Sequence, residues 1–257
     1  MENNKFLTNC GHFIIPAPLI IIILVLIPLP ALLLDILALI LIIAFLTIHI
    51  TLYYRKIKDF SFFPLWLLSF SILSLFIQIS YTRLILTQGA DFNGWIIRAI
   101  SFLVASSNEI AGLVVDLLIF IVFTFVISVA VIRRTRRVLK VSLQFTMDSI
   151  PGRHKAIEME YSSGQITGKE ANLQKSNLQK ELNFYCSLDG YVKVISDIFK
   201  VSIFITAASM IGGFIIGFPI NETVENVKGY VSLSIANGFL AQFLILIGCT
   251  SVLYRYL

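Results

Sequence analysis

The sequence predicts an all-α fold: a polytopic membrane helical bundle of about six spans, with a helical cytoplasmic loop between spans four and five. Of its 257 residues, 57% are hydrophobic and only 14% are charged, and the mean hydropathy is +0.88. Soluble domains carry roughly a quarter charged residues. The apolar residues also form runs of about 20, the length that crosses a bilayer as a helix.

The distribution of basic residues predicts the orientation of these spans. If both termini, residues 55–58 and residues 133–200 face the cytoplasm, 17 of the 20 Lys and Arg residues lie on that side. Basic loops are retained in the cytoplasm. We therefore expect a multi-pass protein with both termini cytoplasmic. The net charge of +5 reflects the basic residues that set this orientation and does not indicate a nucleic-acid-binding surface.

The first two spans come from one apolar run over residues 13–50. Pro28 and Pro30 interrupt it, since proline lacks an N–H donor and biases the preceding residue away from helix. This predicts helix one at 13–27 and helix two at 31–53. Asp35 follows the break, where a carboxylate is favoured by the helix dipole near the interface; a role in ion passage is the alternative.

Helix three is predicted at 60–80, with Pro64 in its first turn. It is polar for a lipid-facing helix, so we expect it to pack inside the bundle. Its polar residues are Ser69, Ser71, Ser74, Gln78 and Ser80. Residues 95–104 follow a Gly-rich turn and form a short apolar run, which predicts an interfacial or re-entrant helix.

The remaining spans are predicted at 110–132, 198–218 and 230–253. Helix four contains Asp116, an acid inside a span and hence a candidate for ion coupling, with a structural role near the helix start as the alternative. Helix five contains Gly213 and Gly217, whose spacing suits close helix packing. The predicted organisation is 1–132 for spans one to four, 133–197 for the cytoplasmic loop and 198–257 for spans five and six.

The loop at 133–197 is predicted to be a small helical insertion. Arg133 to Arg137 place four arginines at the lipid headgroups, and Pro151-Gly152 predicts a turn over residues 148–152. Asp189, Lys193 and Asp197 recur every four residues, which stacks acid, base and acid on one helical face.

No sequence feature predicts an enzyme, a metal site or a cofactor. The three cysteines are Cys10, Cys186 and Cys249, far apart and without CxxC or Cys/His spacing. There is no phosphate-binding loop and no nucleophile–base motif. We therefore expect a protein that is not an enzyme.

Several motifs in the same order along the chain resemble one known family. The run from Phe145 to Glu158, Phe-Thr-Met-Asp-Ser-Ile-Pro-Gly-Arg-His-Lys-Ala-Ile-Glu, is similar to the signature loop of the FlhA/LcrD/InvA family, also called FHIPEP. Similar stretches are Pro-Leu-Pro-Ala-Leu-Leu-Leu-Asp at 28–35, Asp-Phe at 59–60 with Phe-Pro at 63–64, Thr-Arg-Leu-Ile-Leu at 82–86, and Phe-Tyr at 184–185 with Asp-Gly at 189–190. This colinearity covers nearly the whole chain.

The resemblance implies an export-gate protein of flagellar or virulence type III secretion in the bacterial inner membrane. It implies a homo-oligomeric ring that couples the proton-motive force to protein export, together with other export-apparatus membrane proteins. Exported substrates and chaperones would bind through the family's large cytoplasmic domain, which this sequence lacks after its sixth span. The signature positions that match are Phe145, Pro151, Gly152 and Arg153, and the ion-coupling candidates are Arg137, Asp148, Lys193, Asp197 and Asp116.

The chain departs from the family pattern at several charged positions. Where the family usually has arginine, this chain has Gln144 and Ser74. Asn237 stands in place of an aspartate, and Lys140 in place of a glutamate. Asp197 is one residue out of register with the family's Asp, and Phe243-Leu244 replaces Ile-Pro. These departures keep open a non-transporting structural remnant of a gate. An unrelated ion or solute carrier would need internal repeats, which the sequence does not contain.

Overall fold

The computed structural model describes residues 29–54, 63–104, 110–217 and 224–253, and within these ranges every regular element is helical. In chain order the α-helices are α1 (Ala31–Tyr54), α2 (Phe63–Gln88), α3 (Trp95–Val104), α4 (Ile110–Val126), α5 (Arg133–Ser162), α6 (Gly168–Gly217) and α7 (Val224–Leu253). A 3₁₀ turn, Gly89–Asp91, follows α2, and a π-helical stretch, Ile127–Ile132, joins α4 to α5.

In the described part of the chain, five helical stretches are long and apolar enough to cross a membrane. They are Ala31–Thr51, Phe63–Gln88, Val114–Ser162, Gly168–Gly217 and Val227–Leu253. The predicted fold class, an all-α membrane helical bundle, is confirmed. The predicted first span at 13–27 lies outside the described residues.

Most predicted helix positions are confirmed, but some boundaries differ. The helix predicted at 60–80 runs on to Gln88, and the one predicted from 230 begins at Val224. No helix boundary separates the cytoplasmic loop from span five, because α6 is continuous from Gly168 to Gly217. Nothing in the sequence around Asp197 removes a backbone donor or favours a turn, so the helix continues through it.

The prediction of a turn at residues 148–152 was wrong. Pro151 lies inside α5, which is helical from Arg133 to Ser162. Proline removes the bond to the carbonyl four residues earlier and crowds that carbonyl, but the flanking residues carry the helix past it. The chain reverses later, where Gly164 adopts a left-handed φ of +74°.

The turn between α5 and α6 has a sequence-encoded cap at each end. The N–H of Gln165 bonds to the Glu160 carbonyl at 3.0 Å, which satisfies an open carbonyl at the end of α5. The Thr167 N–H and hydroxyl donate to Glu170 at 2.8 and 2.9 Å, and the Glu170 N–H donates back at 3.3 Å. This reciprocal capping box starts α6 and lowers the pKa of the Glu170 carboxyl.

The described chain divides into two compact units. The first comprises residues up to Ile40, Leu73–Leu118 and Ser202–Ala241. Its close helix packing depends on glycines of α6, as the spacing predicted. A Cβ added at Gly213 would lie 2.7 Å from the Tyr230 Cβ, and one at Gly217 would lie 2.7 Å from a Val227 methyl. Side chains there would force α6 and α7 apart.

The second unit comprises Leu41–Ile72, Ile119–Val201 and residues from Gln242 onward. Buried apolar side chains form its core, among them Phe45, Leu67, Leu139, Leu188 and Ile195. A few polar contacts join its helices: Thr124 with Gln242, and the His49 ring with the Ser251 hydroxyl at 2.9 Å. The hairpin formed by α5 and the first part of α6, residues 133–201, belongs to this unit.

Candidate functional site

The most enclosed acidic group with described partners is Asp35, in the second turn of α1, which has no exposed surface (0%). One carboxylate oxygen, Oδ1, accepts the Tyr81 hydroxyl at 2.7 Å. The other, Oδ2, accepts the backbone N–H of Trp95 at 2.9 Å, and a longer contact of 3.4 Å joins Oδ1 to the N–H of Ile96. All these residues belong to the first unit.

The local sequence explains why the three elements meet at this carboxylate. Trp95 and Ile96 begin α3, so their N–H groups have no partner within the helix. Asp35 supplies the missing acceptor from another helix and places a negative charge at the positive end of the α3 dipole. Tyr81 is held beside it by an edge-on contact with the Phe92 ring, 6.3 Å between centroids.

The hydrogen bonds to Asp35 all use its carboxylate oxygens as acceptors. An ionised carboxylate only accepts hydrogen bonds, whereas a protonated one has to donate through one oxygen. Tyr81, Trp95 and Ile96 all point donors at Asp35. Protonation of Asp35 would therefore remove an acceptor and weaken the attachment of α3 to α1.

A row of buried polar side chains joins α2, α6 and α7 in the same unit. Gln78 donates from Nε2 to the Ser202 carbonyl at 3.0 Å and to the Thr206 hydroxyl at 3.1 Å. Ser209 and Ser234 share a hydrogen bond of 2.7 Å. The prediction that helix three packs inside the bundle is confirmed for Gln78 and three of its four serines, and Ser69 alone is exposed.

Asn237 completes this row and accounts for one departure from the family pattern. Its Nδ2 donates to the Gln78 carbonyl and to the Thr82 hydroxyl, both at 3.0 Å. A carboxylate cannot donate to the carbonyl. The amide at Asn237 is therefore matched to its acceptors, and the side chain holds α7 to α2 without a charge.

Asp116, the predicted acid in span four, is buried in α4 with 1% of its surface exposed. It belongs to the first unit, like Asp35. The structure thus encloses both span acids within apolar helices, the setting in which an ionisable side chain is a functional candidate by default.

The signature residues lie along the hairpin and mostly face outward. Phe145 is 72% exposed, and Asp148, Pro151 and Gly152 are also exposed on α5. Arg153 contacts Glu181 of α6 at 3.1 Å, and Lys175 pairs with Glu158 at the same distance. Two ion pairs thus join the arms of the hairpin, each worth up to about 1 kcal/mol at such exposed positions.

The ion-coupling candidates of the hairpin do not form one cluster. Lys193 pairs with Asp189 one turn earlier, as the spacing predicted. Asp197 pairs instead with Lys200 at 2.8 Å. The Lys200 ammonium, with a smaller contribution from Arg136, holds the pKa of the Asp197 carboxyl below its usual value.

Neither Arg137 nor Asp148 takes part in an ion pair formed among the described residues. Both are exposed on α5. The described part of the chain also brings together no group of three His, Cys, Asp or Glu side chains suited to a metal ion.

Sequence reasoning missed the partners of the buried acid. Tyr81 and the N-terminus of α3 lie 46 and 60 residues from Asp35. One signal was present: a short amphipathic helix that starts after Gly94 without a Ser, Thr, Asp or Asn cap needs an acceptor from elsewhere.

Comparisons with known proteins match the chain to one family. The family model described as the FHIPEP family matches residues 21–252. "Flagellar biosynthesis protein FlhA" of Borreliella burgdorferi is 40% identical over 216 residues, which are 82% of this chain and 31% of that protein. The protein of the same name in Treponema pallidum is 35% identical over 204 residues, 79% of this chain and 29% of the relative.

A relative with a different name also matches most of the chain. "Harpin secretion protein HrpI" of Erwinia amylovora is 34% identical over 202 residues, 78% of this chain and 27% of that protein. The chain thus spans about a third of the length of the curated relatives it matches. No solved structure matches the chain.

Proposed function

Because the chain belongs to the FHIPEP family, we propose that it is the membrane part of an export component of a type III secretion apparatus. The relatives' names, flagellar biosynthesis protein and harpin secretion protein, support this proposal. On this proposal the chain moves proteins and is not an enzyme. It acts in the bacterial inner membrane, with both termini cytoplasmic.

We further propose that the chain couples the proton-motive force to export through Asp35. The observation that carries this is the enclosed carboxylate with three donors aimed at it, from Tyr81, Trp95 and Ile96. Proton uptake removes an acceptor from this network and loosens α3; proton release restores it. Asp116, the second buried acid of the same unit, is the candidate for passing the proton onward.

The hairpin charges have a different part in this proposal. Asp197, which pairs with Lys200 on the exposed surface of α6, contributes to coupling as a charge of the hairpin. Asp148 and Lys193 are exposed on the same hairpin and are positioned to meet partners in water, whereas Arg137, at the membrane end of α5, contributes to coupling as a fixed positive charge. The proposed partners are further copies of the chain in a ring, other membrane proteins of the apparatus, and substrates with their chaperones.

Export of a reporter substrate tests the proposal. A host that lacks its own family member receives this chain together with the remaining cytoplasmic part of a relative, fused or as a separate polypeptide. We expect secretion with the unaltered chain and with Asp91→Asn, an exposed carboxylate in the 3₁₀ turn. We expect Asp35→Asn and Asp116→Asn to abolish secretion while the chain still inserts into the membrane.

Two outcomes oppose different parts of this proposal. If no combination secretes although the chain inserts normally, the export role fails and a non-transporting structural piece remains. If Asp35→Asn secretes as well as Asp91→Asn does, the export role stands and the assignment of proton coupling to Asp35 fails.

A further inference from the structure

Three arginines share one face of the helix where the apolar part of α4 ends. The face consists of Val129, Ala130, Arg133, Arg134, Arg137 and Val138, which line a concave site of about 540 Å³. Their spacing repeats every four residues, so the side chains follow one another along the helix. The site thus has two apolar side chains at one end, three guanidinium groups in the middle, and a valine beyond.

These three arginines carry positive charge that the described residues do not neutralise. None of the ion pairs among those residues involves Arg133, Arg134 or Arg137, and all three are exposed. Arg136, in the middle of the same run, differs because it acts on the Asp197 carboxyl. Three like charges within two turns repel one another, and an external anion would relieve that repulsion.

The position of the face along the helix indicates where that anion is found. The preceding turn on the same face carries Phe125 and Val126, 65% and 49% exposed. The apolar stretch ends at Ile132 and the arginines follow at once. Exposed apolar side chains that give way to arginine mark the level of lipid headgroups, where arginine meets phosphate while acyl chains cover the apolar surface.

The backbone at this point is not a regular α-helix. Over Ile127–Ile132 the helix is of the π type, and the N–H of Arg133 bonds to the Ser128 carbonyl, five residues back. Such single π turns occur often at functional sites. Here it lies directly before the three arginines and contains two residues of the site, Val129 and Ala130.

We propose that this face binds the phosphate of an anionic phospholipid headgroup in the membrane leaflet at which α4 ends. The planar guanidinium groups of Arg133, Arg134 and Arg137 form paired hydrogen bonds with phosphate oxygens, a geometry that lysine does not reproduce. Val129 and Ala130 lie against the glycerol and first acyl carbons. The proposal concerns lipid binding alone and does not depend on the export role.

The test is lipid binding by the purified full-length chain, measured by native mass spectrometry with phosphatidylglycerol and with phosphatidylcholine. The site variant is Arg133→Gln/Arg134→Gln/Arg137→Gln. The matched control, Lys155→Gln/Lys169→Gln/Lys180→Gln, removes the same charge from exposed positions on the hairpin. Each cation near the headgroup changes affinity about fivefold, so we expect the site variant to bind phosphatidylglycerol about a hundredfold more weakly and the control to be unchanged.

A photoreactive phosphatidylglycerol provides a second measurement that needs no variant. We expect it to label the wild-type chain within residues 129–138. Labelling elsewhere, or equal losses of affinity in the two triple variants, would overturn the proposal, since both indicate attraction to net charge. Equal binding of phosphatidylcholine would also overturn it, and displacement of the lipid by an equal concentration of inorganic phosphate would mean that a free anion is the ligand.

Discussion

Removal of the Asp35 carboxylate is the perturbation with the largest expected effect on the first unit. Asp35→Ala leaves the buried Tyr81 hydroxyl and the first N–H groups of α3 without an acceptor. Hydrogen bonds to a charged group contribute about 1.5–3 kcal/mol each. Counting the bonds of 2.7 and 2.9 Å fully and the 3.4 Å contact as weak, we expect a loss of about 4 kcal/mol.

The contributions of Asp35 and Tyr81 to their shared hydrogen bond can be measured separately. Tyr81→Phe removes one donor and should cost about 2 kcal/mol. The double variant Asp35→Ala/Tyr81→Phe should cost less than the sum, because the hydroxyl that Asp35→Ala strands is then absent. Asp91→Asn, at an exposed carboxylate, is the control and should change stability by no more than about 0.5 kcal/mol.

Unfolding of the purified protein in detergent, followed by tryptophan fluorescence, measures these differences. Amide hydrogen exchange over Trp95–Val104 reports the attachment of α3 directly. We expect exchange in α3 to rise in Asp35→Ala and to stay unchanged in the control. The reasoning is refuted if Asp35→Ala matches the control in both measurements.

Three further changes test other parts of the fold. Gly213→Ala should destabilise the protein by about 1–3 kcal/mol, because its methyl group meets a tyrosine side chain. Gly190→Ala, with open space around it, should be neutral or stabilising by up to about 1 kcal/mol. Thermal unfolding in detergent compares the two variants, and equal effects would contradict the close packing at Gly213. Asn237→Asp should lower stability by about 2–4 kcal/mol, because its carboxylate would face the carbonyl to which the amide donates. Asn237→Ser is uncharged and should lower stability by less in the same assay. Capping by Thr167 lowers the pKa of Glu170, so this group stabilises the fold above its unfolded pKa of about 4.3 and loses that contribution as pH falls through the lower folded pKa. The difference in hairpin amide exchange rates between wild type and Glu170→Gln should therefore disappear at acidic pH. A difference that stays constant with pH would count against the cap.

The sequence was informative where a single physical rule dominated. Hydropathy located the spans at 31–53 and 110–132, and the spacing of Gly213 and Gly217 predicted where α6 approaches a neighbour. These features depend on composition and local geometry. Both can be recognised from the sequence without knowledge of tertiary contacts.

The candidate site was less predictable because its contacts are distant in sequence. Asp35 could be identified as a span acid, but its partner Tyr81 and the α3 N-terminus became visible only in three dimensions. The turn rule failed at Pro151 because a helix tolerates one missing bond when residues on both sides continue it. The spacing also grouped Asp197 with Lys193, but its partner in the structure is Lys200, three residues later.

The fluorescence of Trp95 as a function of pH tests the proposal that proton uptake by Asp35 loosens the attachment of α3. With Trp66→Phe as background, Trp95 is the remaining tryptophan of the chain, and it begins the helix that Asp35 holds. We expect its emission to change in one reversible step as the pH of the reconstituted protein is lowered, and we expect Asp35→Asn to remove this step while Asp91→Asn keeps it. Emission that does not respond to pH, or that responds equally in Asp35→Asn, would contradict the claim.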